Sequence, residues 1–153
     1  MNTHWYLVGH RAGARIFEQE GIKPELRVVR RFDNPDGLLK TNELVSDRQG
    51  RSDSAGMPGH NPVGDSNTPR EHVLENFSHQ LGQFLEQEAA RGAFASLVLV
   101  AEPHVLGSLK KQIGKSTTPR LREALAKDLV RVSDHEMSAH LKSVMCVREA
   151  ISG

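Results

Sequence analysis

The chain has 153 residues, of which 37% are hydrophobic and 25% are charged, and its 20 Lys and Arg against 19 Asp and Glu give a net charge of +1. A chain of this length is expected to form one domain with one core. The near-neutral total excludes binding of polyanions by bulk charge, so any nucleic-acid surface must be a local patch.

The cysteine content, the first residues of the chain and the length of its apolar stretches indicate the cellular compartment. The single cysteine, Cys146, cannot form an internal disulfide. The first residues do not show the basic segment and apolar run of a secretion signal, and no apolar stretch approaches the roughly 18 residues of a membrane span. We therefore expect a cytoplasmic protein that does not enter the membrane.

Three strands are predicted at the start of the chain. Residues 5–8, 14–17 and 26–32 are runs rich in β-branched, aromatic and other apolar side chains, and residues 9–13 have the composition of a tight turn. Because the three runs follow one another closely, an antiparallel meander is expected.

A flexible loop is predicted at about residues 45–69, within a single domain that spans residues 1–153. The segment shows no apolar periodicity and is rich in Gly, Pro and Ser. A segment of this composition cannot offset the entropy cost of ordering by burying apolar surface. Long loops in small domains tend to be either functional or disordered.

A long helix is predicted after this loop. Thr68 is a candidate N-cap, Pro69 suits the first helical position, and Glu71 is placed to complete a capping box. Apolar residues then recur at spacings of three and four as far as Leu85, and Gly92 is the expected stop.

The second half of the chain predicts further strands and helices. Residues 97–101 are apolar at every position, as in a central strand that is covered on both faces. Pro103 begins a helix for which Gly114 is the expected C-cap. Thr118 and Pro119 begin a shorter helix with an apolar stripe, which is Leu121, Ala124 and Leu125.

The chain is predicted to end in a strand and a helix. Residues 129–132 read as the last strand, and Ser133 with Glu136 caps a final helix. Its apolar stripe is Met137, Leu141, Val144 and Met145. The order of elements predicts a single α/β domain with a central mixed β-sheet of about five strands flanked by helices.

No cofactor, metal or catalytic motif is identified. Gly114-Lys115-Ser116 matches the end of a phosphate-binding loop, but Leu109 stands where that motif requires glycine. His135 and His140 are five residues apart, which turns them to different sides of a helix and prevents them from sharing a metal. Cys146 lacks the surroundings of a nucleophile and is interpreted as a structural thiol.

Two local basic clusters are candidate phosphate-binding sites. One follows the central apolar strand in a stretch without acidic residues, and the other lies in the predicted loop. The candidate RNA- or phosphate-binding residues are Arg48, Gln49, Gly50, Arg51, Lys110, Lys111 and Lys115. The alternative interpretation is a solvated helix face, to which Arg120 and Arg122 also belong, and an ordinary polar loop.

Four blocks of the sequence, in this order and spacing, resemble the bacterial family of host attachment proteins. The blocks are residues 5–8 with 14–17, 46–51, 97–103 with 106–109, and 127–130 with 140–141. That family is in turn similar to the middle domain of the class 1 release factors of archaea and eukaryotes. In those factors the equivalent loop carries Gly-Gly-Gln, which is absent from residues 47–52 here.

The resemblance leaves three hypotheses open. The preferred one is a non-catalytic binding protein that contacts RNA or the translation machinery through the loop and the basic helix. The second is a hydrolase of an ester such as peptidyl-tRNA, and the third is a cytoplasmic protein-interaction module that affects surface attachment. Without a nucleophile paired to a base, and without Gly-Gly-Gln, we expect no ester turnover.

Overall fold

A computed structural model describes residues 2–38 and 68–146. The predicted loop therefore lies outside the described residues except for its last two positions. The strands are β1 (Thr3–His10), β2 (Gly13–Glu20), β3 (Arg27–Asp33), β4 (Ser96–Ala101) and β5 (Leu121–Ala126). The helices are α1 (Pro69–Ala90), α2 (Pro103–Gln112) and α3 (Met137–Leu141).

The strands form one mixed sheet in the order β3-β2-β1-β4-β5. The first three form the expected antiparallel meander, and β4 runs parallel to both β1 and β5. Leu99, at the centre of β4, is fully buried. The predicted fold class and the predicted inner strand are both confirmed.

Helix α1 begins and ends as its sequence predicts. The Thr68 hydroxyl accepts a hydrogen bond from the backbone N–H of Glu71 at 3.1 Å, and Pro69 occupies the first turn. The helix ends before Gly92, which has the left-handed φ of 77° that favours glycine. The Glu71 carboxylate does not close a capping box, since it contacts His104 of α2 at 2.8 Å.

Helices α1 and α2 pack side by side, in the same direction, on one face of the sheet. Their parallel course follows from two contacts with the same offset along the chain, Glu71 with His104 and His79 with Gln112. Between α1 and the sheet lies a large apolar core that includes Phe77. The residues after β5 cover the other face, where Met137 and Leu141 of α3 are fully buried in a second apolar cluster.

Small residues let α1 approach the end of α2 closely. A Cβ atom on Gly82 would lie 2.5 Å from the carbonyl oxygen of Gln112, which is closer than real Cβ atoms approach an oxygen. One turn earlier, Ser78 is 1% exposed, and among the described residues its hydroxyl has no hydrogen-bond partner. Its small size therefore suits it to this position, while its polarity is unused.

The predicted short helix after Thr118 is wrong, because this segment forms the edge strand β5. Residues 118–120 make one 3₁₀ turn and the strand follows directly. The register between β4 and β5 shifts after the Leu97–Leu121 pair, so that Leu99 lies opposite Ala124. The extra residue of this bulge places Leu121 and Ala124 on the same face at a spacing of three, which imitates a helical pattern.

The strand predicted at 129–132 is also wrong. These residues make a turn on the second face of the sheet, closed by a hydrogen bond from the Val132 N–H to the Leu129 carbonyl. The carbonyl oxygens of Leu129 and Val132 both accept hydrogen bonds from the Arg15 guanidinium. Its three apolar residues give the segment a strand-like composition, but the sheet ends at β5 and Leu129 packs into the second apolar cluster instead.

Two helix ends differ from expectation. The final helix is short, with a 3₁₀ turn over Asp134–Glu136 before α3, although the Ser133 hydroxyl caps the N–H of Glu136 as predicted. Helix α2 ends at Gln112 with Ile113 as its cap, so Gly114 is not the C-cap. A Cβ atom on Gly114 would lie 2.8 Å from the Glu86 carboxylate, so a larger residue there would displace that side chain.

Candidate functional site

The lysines of the predicted basic cluster are exposed at one end of α2. Lys110 and Lys111 lie in its last turn and Lys115 in the loop that follows. Val105, Leu106 and Leu109 turn the opposite side of this short helix into the core, which directs the lysines outwards. None of the three lysines forms an ion pair within residues 2–38 and 68–146.

The two arginines of the same cluster serve the structure instead. Arg120 donates hydrogen bonds to the carbonyl oxygens of Ser116 at 3.3 Å and Phe94 at 3.1 Å. Arg122 donates to the Val144 carbonyl at 2.7 Å and to the Tyr6 hydroxyl at 3.2 Å. The five basic residues therefore have two roles in the structure. The three lysines are exposed to solvent, and the two arginines donate hydrogen bonds that join separate segments of the fold.

The loop that resembles a phosphate-binding motif is filled by the protein's own carboxylate. Glu86 of α1 accepts hydrogen bonds from the backbone N–H groups of Ser116, at 2.7 Å, and Thr117, at 3.2 Å, and from the Thr117 hydroxyl at 3.0 Å. The Ser116 N–H is the largest cause of a lowered Glu86 pKa. These donors therefore hold α1 to the loop between α2 and β5.

A cleft of about 240 Å³ lies between the first two turns of α1 and the length of α2. Its walls include Glu71, Glu75, His104, Ser108 and Lys111. Lys111 therefore shares this cleft with the carboxylates of Glu71 and Glu75, although its side chain is exposed to solvent. Within the described residues Ser108 forms no side-chain hydrogen bond with His104, although it lies one turn further along α2.

Polar contacts anchor the residues after β5 to the second face of the sheet. The buried Gln19 accepts hydrogen bonds from the Tyr6 hydroxyl at 2.6 Å and from the Cys146 N–H at 3.1 Å, and donates to the Cys146 carbonyl. Burial raises the pKa of Tyr6, against the effect of the nearby Arg122. This network gives Cys146 a structural position through its backbone.

Asp134 forms a second anchor with two arginines of the sheet. It accepts from Arg15 at 3.0 Å and is also paired with Arg31. Burial acts to raise its pKa, but the two arginines outweigh burial and the pKa is lowered. Neither this anchor nor the Gln19 network could be predicted from sequence, because their strand residues are isolated polar side chains that belong to no motif.

An arginine–aromatic cluster at the other edge of the sheet was missed by sequence reasoning. The Arg30 guanidinium of β3 lies over the ring of Phe32, 5.1 Å from its centroid, and over that of Phe84, at 4.9 Å. The two rings meet edge to face at 5.2 Å. Trp5 and Tyr6 are 5% and 0% exposed and lie inside the core, so neither is available to stack on a base.

The predicted site residues of the loop cannot be placed. Arg48, Gln49, Gly50 and Arg51 all lie outside the described residues. Among residues 2–38 and 68–146, no group of three or more His, Cys, Asp or Glu side chains could hold a metal ion. Within the same ranges, each helix is either too short or too polar to cross a membrane.

The fold and this surface define an α/β protein with one five-stranded mixed sheet and an exposed lysine cluster beside its helical layer. The chain belongs to the family described as "Protein required for attachment to host cells", which matches residues 5–141. The family resemblance identified in the sequence is therefore confirmed. No curated protein matches the chain.

Solved structures that are similar to the chain include the following two. One is described as an archaeal protein, with 12% identity and a TM-score of 0.46 over 93% of this chain. The other is an archaeal translation termination factor, with 11% identity and a TM-score of 0.42 over 93% of this chain. The chain spans 38% of the length of each.

Proposed function

We propose that this member of the attachment family is a non-catalytic RNA-binding protein that contacts RNA or the translation machinery. The phosphate contacts come from Lys110, Lys111 and Lys115, together with Arg48 and Arg51 of the predicted loop. The observation that carries the proposal is that all three lysines are exposed and form no ion pair within the described part of the chain.

Lysine is suited to this role because its ammonium is a compact charge on a flexible stem, which reaches phosphates without fixed geometry. Lys110 and Lys111 also stabilise the C-terminal end of the α2 dipole, by about 0.3–1 kcal/mol each. That explanation does not extend to Lys115, which lies beyond the helix end. A cluster that continues past the helix favours a ligand.

The first prediction is that charge reversal of these lysines abolishes RNA binding. Binding of the parent protein to single-stranded RNA should weaken steeply between about 50 and 200 mM salt, because phosphate contacts release counterions. In the Lys110→Glu/Lys111→Glu/Lys115→Glu variant, affinity should be lost across this range. Each single Lys→Gln change should lower the slope of log affinity against log salt by about one. Fluorescence anisotropy measures both.

The matched control makes the same change of charge elsewhere. Lys23, Lys127 and Lys142 are exposed, and their reversal to Glu should leave most of the affinity intact. A separate Arg48→Glu/Arg51→Glu variant tests the loop. If the folded Lys110/Lys111/Lys115 variant binds RNA and co-sediments with ribosomes as well as the parent does, the proposal is wrong. Turnover of peptidyl-tRNA by the parent protein would instead favour a hydrolase.

A further inference from the structure

The cluster of Arg30, Phe32 and Phe84 combines a cation with accessible aromatic surface. Arg30 is exposed while both rings are half-buried, so the guanidinium lies on the outer side of the two rings. No carboxylate pairs with Arg30 in the ranges that the structure describes. The Arg30 guanidinium is thus held beside the two rings and is also accessible to solvent.

This arrangement matches the chemistry that recognises unpaired bases. Single-stranded nucleic acid is held by stacking of bases on aromatic rings and on the planes of arginine guanidinium groups. A lysine could neutralise a phosphate equally well but offers no plane for stacking. Arg30, held about 5 Å from the centroids of two rings, therefore offers an exposed planar cation beside aromatic surface, which suits a base as well as a phosphate.

A neutral surface joins this cluster to the lysines of α2. From Asn76 to Leu85 helix α1 carries no Asp, Glu, Lys or Arg, and its outward residues His79, Gln80 and Gln83 are exposed. We call these three residues the central band of α1. The band meets α2 where His79 contacts Gln112 at 3.1 Å.

The other side of the band meets β3 where Arg30 covers Phe84. Arg30 and the lysines of α2 thus lie on opposite sides of α1, beside Phe84 and near His79. The amides and imidazole between them can donate to and accept from a polynucleotide, and the central band itself carries no acidic residue.

We propose that Arg30, Phe32 and Phe84 form a stacking platform for a base of single-stranded RNA, whose backbone crosses the central band of α1 towards Lys110 and Lys111. The proposal rests on the proposed function, since it supplies the base contact that complements those phosphate contacts. It assigns to this surface a preference for unpaired over double-stranded RNA.

The test compares a short labelled oligoadenylate with an abasic strand of the same length, by fluorescence anisotropy. The parent protein should prefer the strand with bases by about tenfold, as expected of one stacked base. Arg30→Lys keeps the charge and removes the plane, so it should abolish this preference and leave the salt dependence unchanged. Arg30→Gln should abolish the preference and also lower the salt slope.

A second pair of variants tests the path across α1. Gln80→Glu/Gln83→Glu places two negative charges on the central band and should weaken oligoadenylate binding at least tenfold. Its control, Ala139→Glu/Ser143→Glu, adds the same charge at exposed positions on the opposite face of the sheet and should bind like the parent. Thermal unfolding verifies that each variant is folded.

The outcomes separate the platform from the proposed function. If the parent binds oligoadenylate and loses it on reversal of the three lysines, but Arg30→Lys keeps the base preference, the platform is wrong and the function stands. If the parent binds no RNA, both are wrong. If Arg30→Lys impairs ribosome co-sedimentation but not binding of free RNA, the contact is with a protein, and the platform is again wrong.

Discussion

Two half-buried histidines make stability sensitive to acid. Burial is the main cause that lowers the pKa of His4 and of His10 below the ordinary value of 6.5, and nearby arginines lower each further. His10 also accepts the Ala12 N–H on Nδ1, an acceptor that protonation would remove. The folded state therefore prefers both imidazoles neutral.

The pH prediction follows from the direction of these shifts. Since the unfolded chain binds protons at a higher pH than the fold does, the stabilisation is present above about 6.5 and is lost as pH falls below it. The urea midpoint should decrease from about pH 7.5 to 5.5. The His4→Gln/His10→Gln variant should show a smaller decrease, whereas His72→Gln, at an exposed position, should behave like the parent.

Ser78 and Gly82 provide opposite tests of the contact between α1 and α2. Ser78→Ala should raise the free energy of unfolding by about 1 kcal/mol, because it removes a buried hydroxyl that lacks a partner and also improves helix propensity. Gly82→Ala should lower it by about 1–3 kcal/mol despite its better propensity, since the new methyl meets the Gln112 carbonyl. Chemical denaturation measures both, and a stabilising Gly82→Ala would contradict this packing.

Elements with local determinants could be predicted from sequence, and those set by tertiary pairing could not. The start of α1 depends on Thr68 and Pro69, and the uniform apolar character of β4 reflects cover on both faces. Strand β5 depends on a bulge opposite Leu97 and Val98, which no local pattern shows.

The residues of the candidate site also differ in whether local sequence or tertiary contacts determine their roles. The exposure of Lys110 and Lys111 follows from the amphipathic pattern of α2. The roles of Arg120 and Arg122 depend on distant carbonyl and hydroxyl groups, so the sequence could not distinguish them from the lysines. Arg30 likewise meets Phe84 only because β3 and α1 are neighbours in space.

At the scale of the molecule, the free energy of unfolding is expected to depend on residues at the centre of the apolar core between α1 and the sheet. Phe77 is 2% exposed and Leu99 is fully buried. Phe77→Ala and Leu99→Ala should each lower the free energy of unfolding by about 3 kcal/mol, through lost apolar burial and the cavity left behind. Denaturant titration measures this, and a loss below about 1 kcal/mol at either position would show that the core is loosely packed there.

The insertion of β4 between β1 and β5 also has a consequence for the order of folding. Its ladder joins residues as far apart in the chain as His4 and Ser96, whose side chains are 2.7 Å apart, whereas β1 and β2 are joined by a tight turn. Closing the longer loop costs more entropy before any contact compensates it, so the hairpin should form first and the central parallel ladder late. Stopped-flow kinetics of Leu99→Ala should then show faster unfolding with little change in the folding rate, the behaviour of a residue whose contacts form after the barrier.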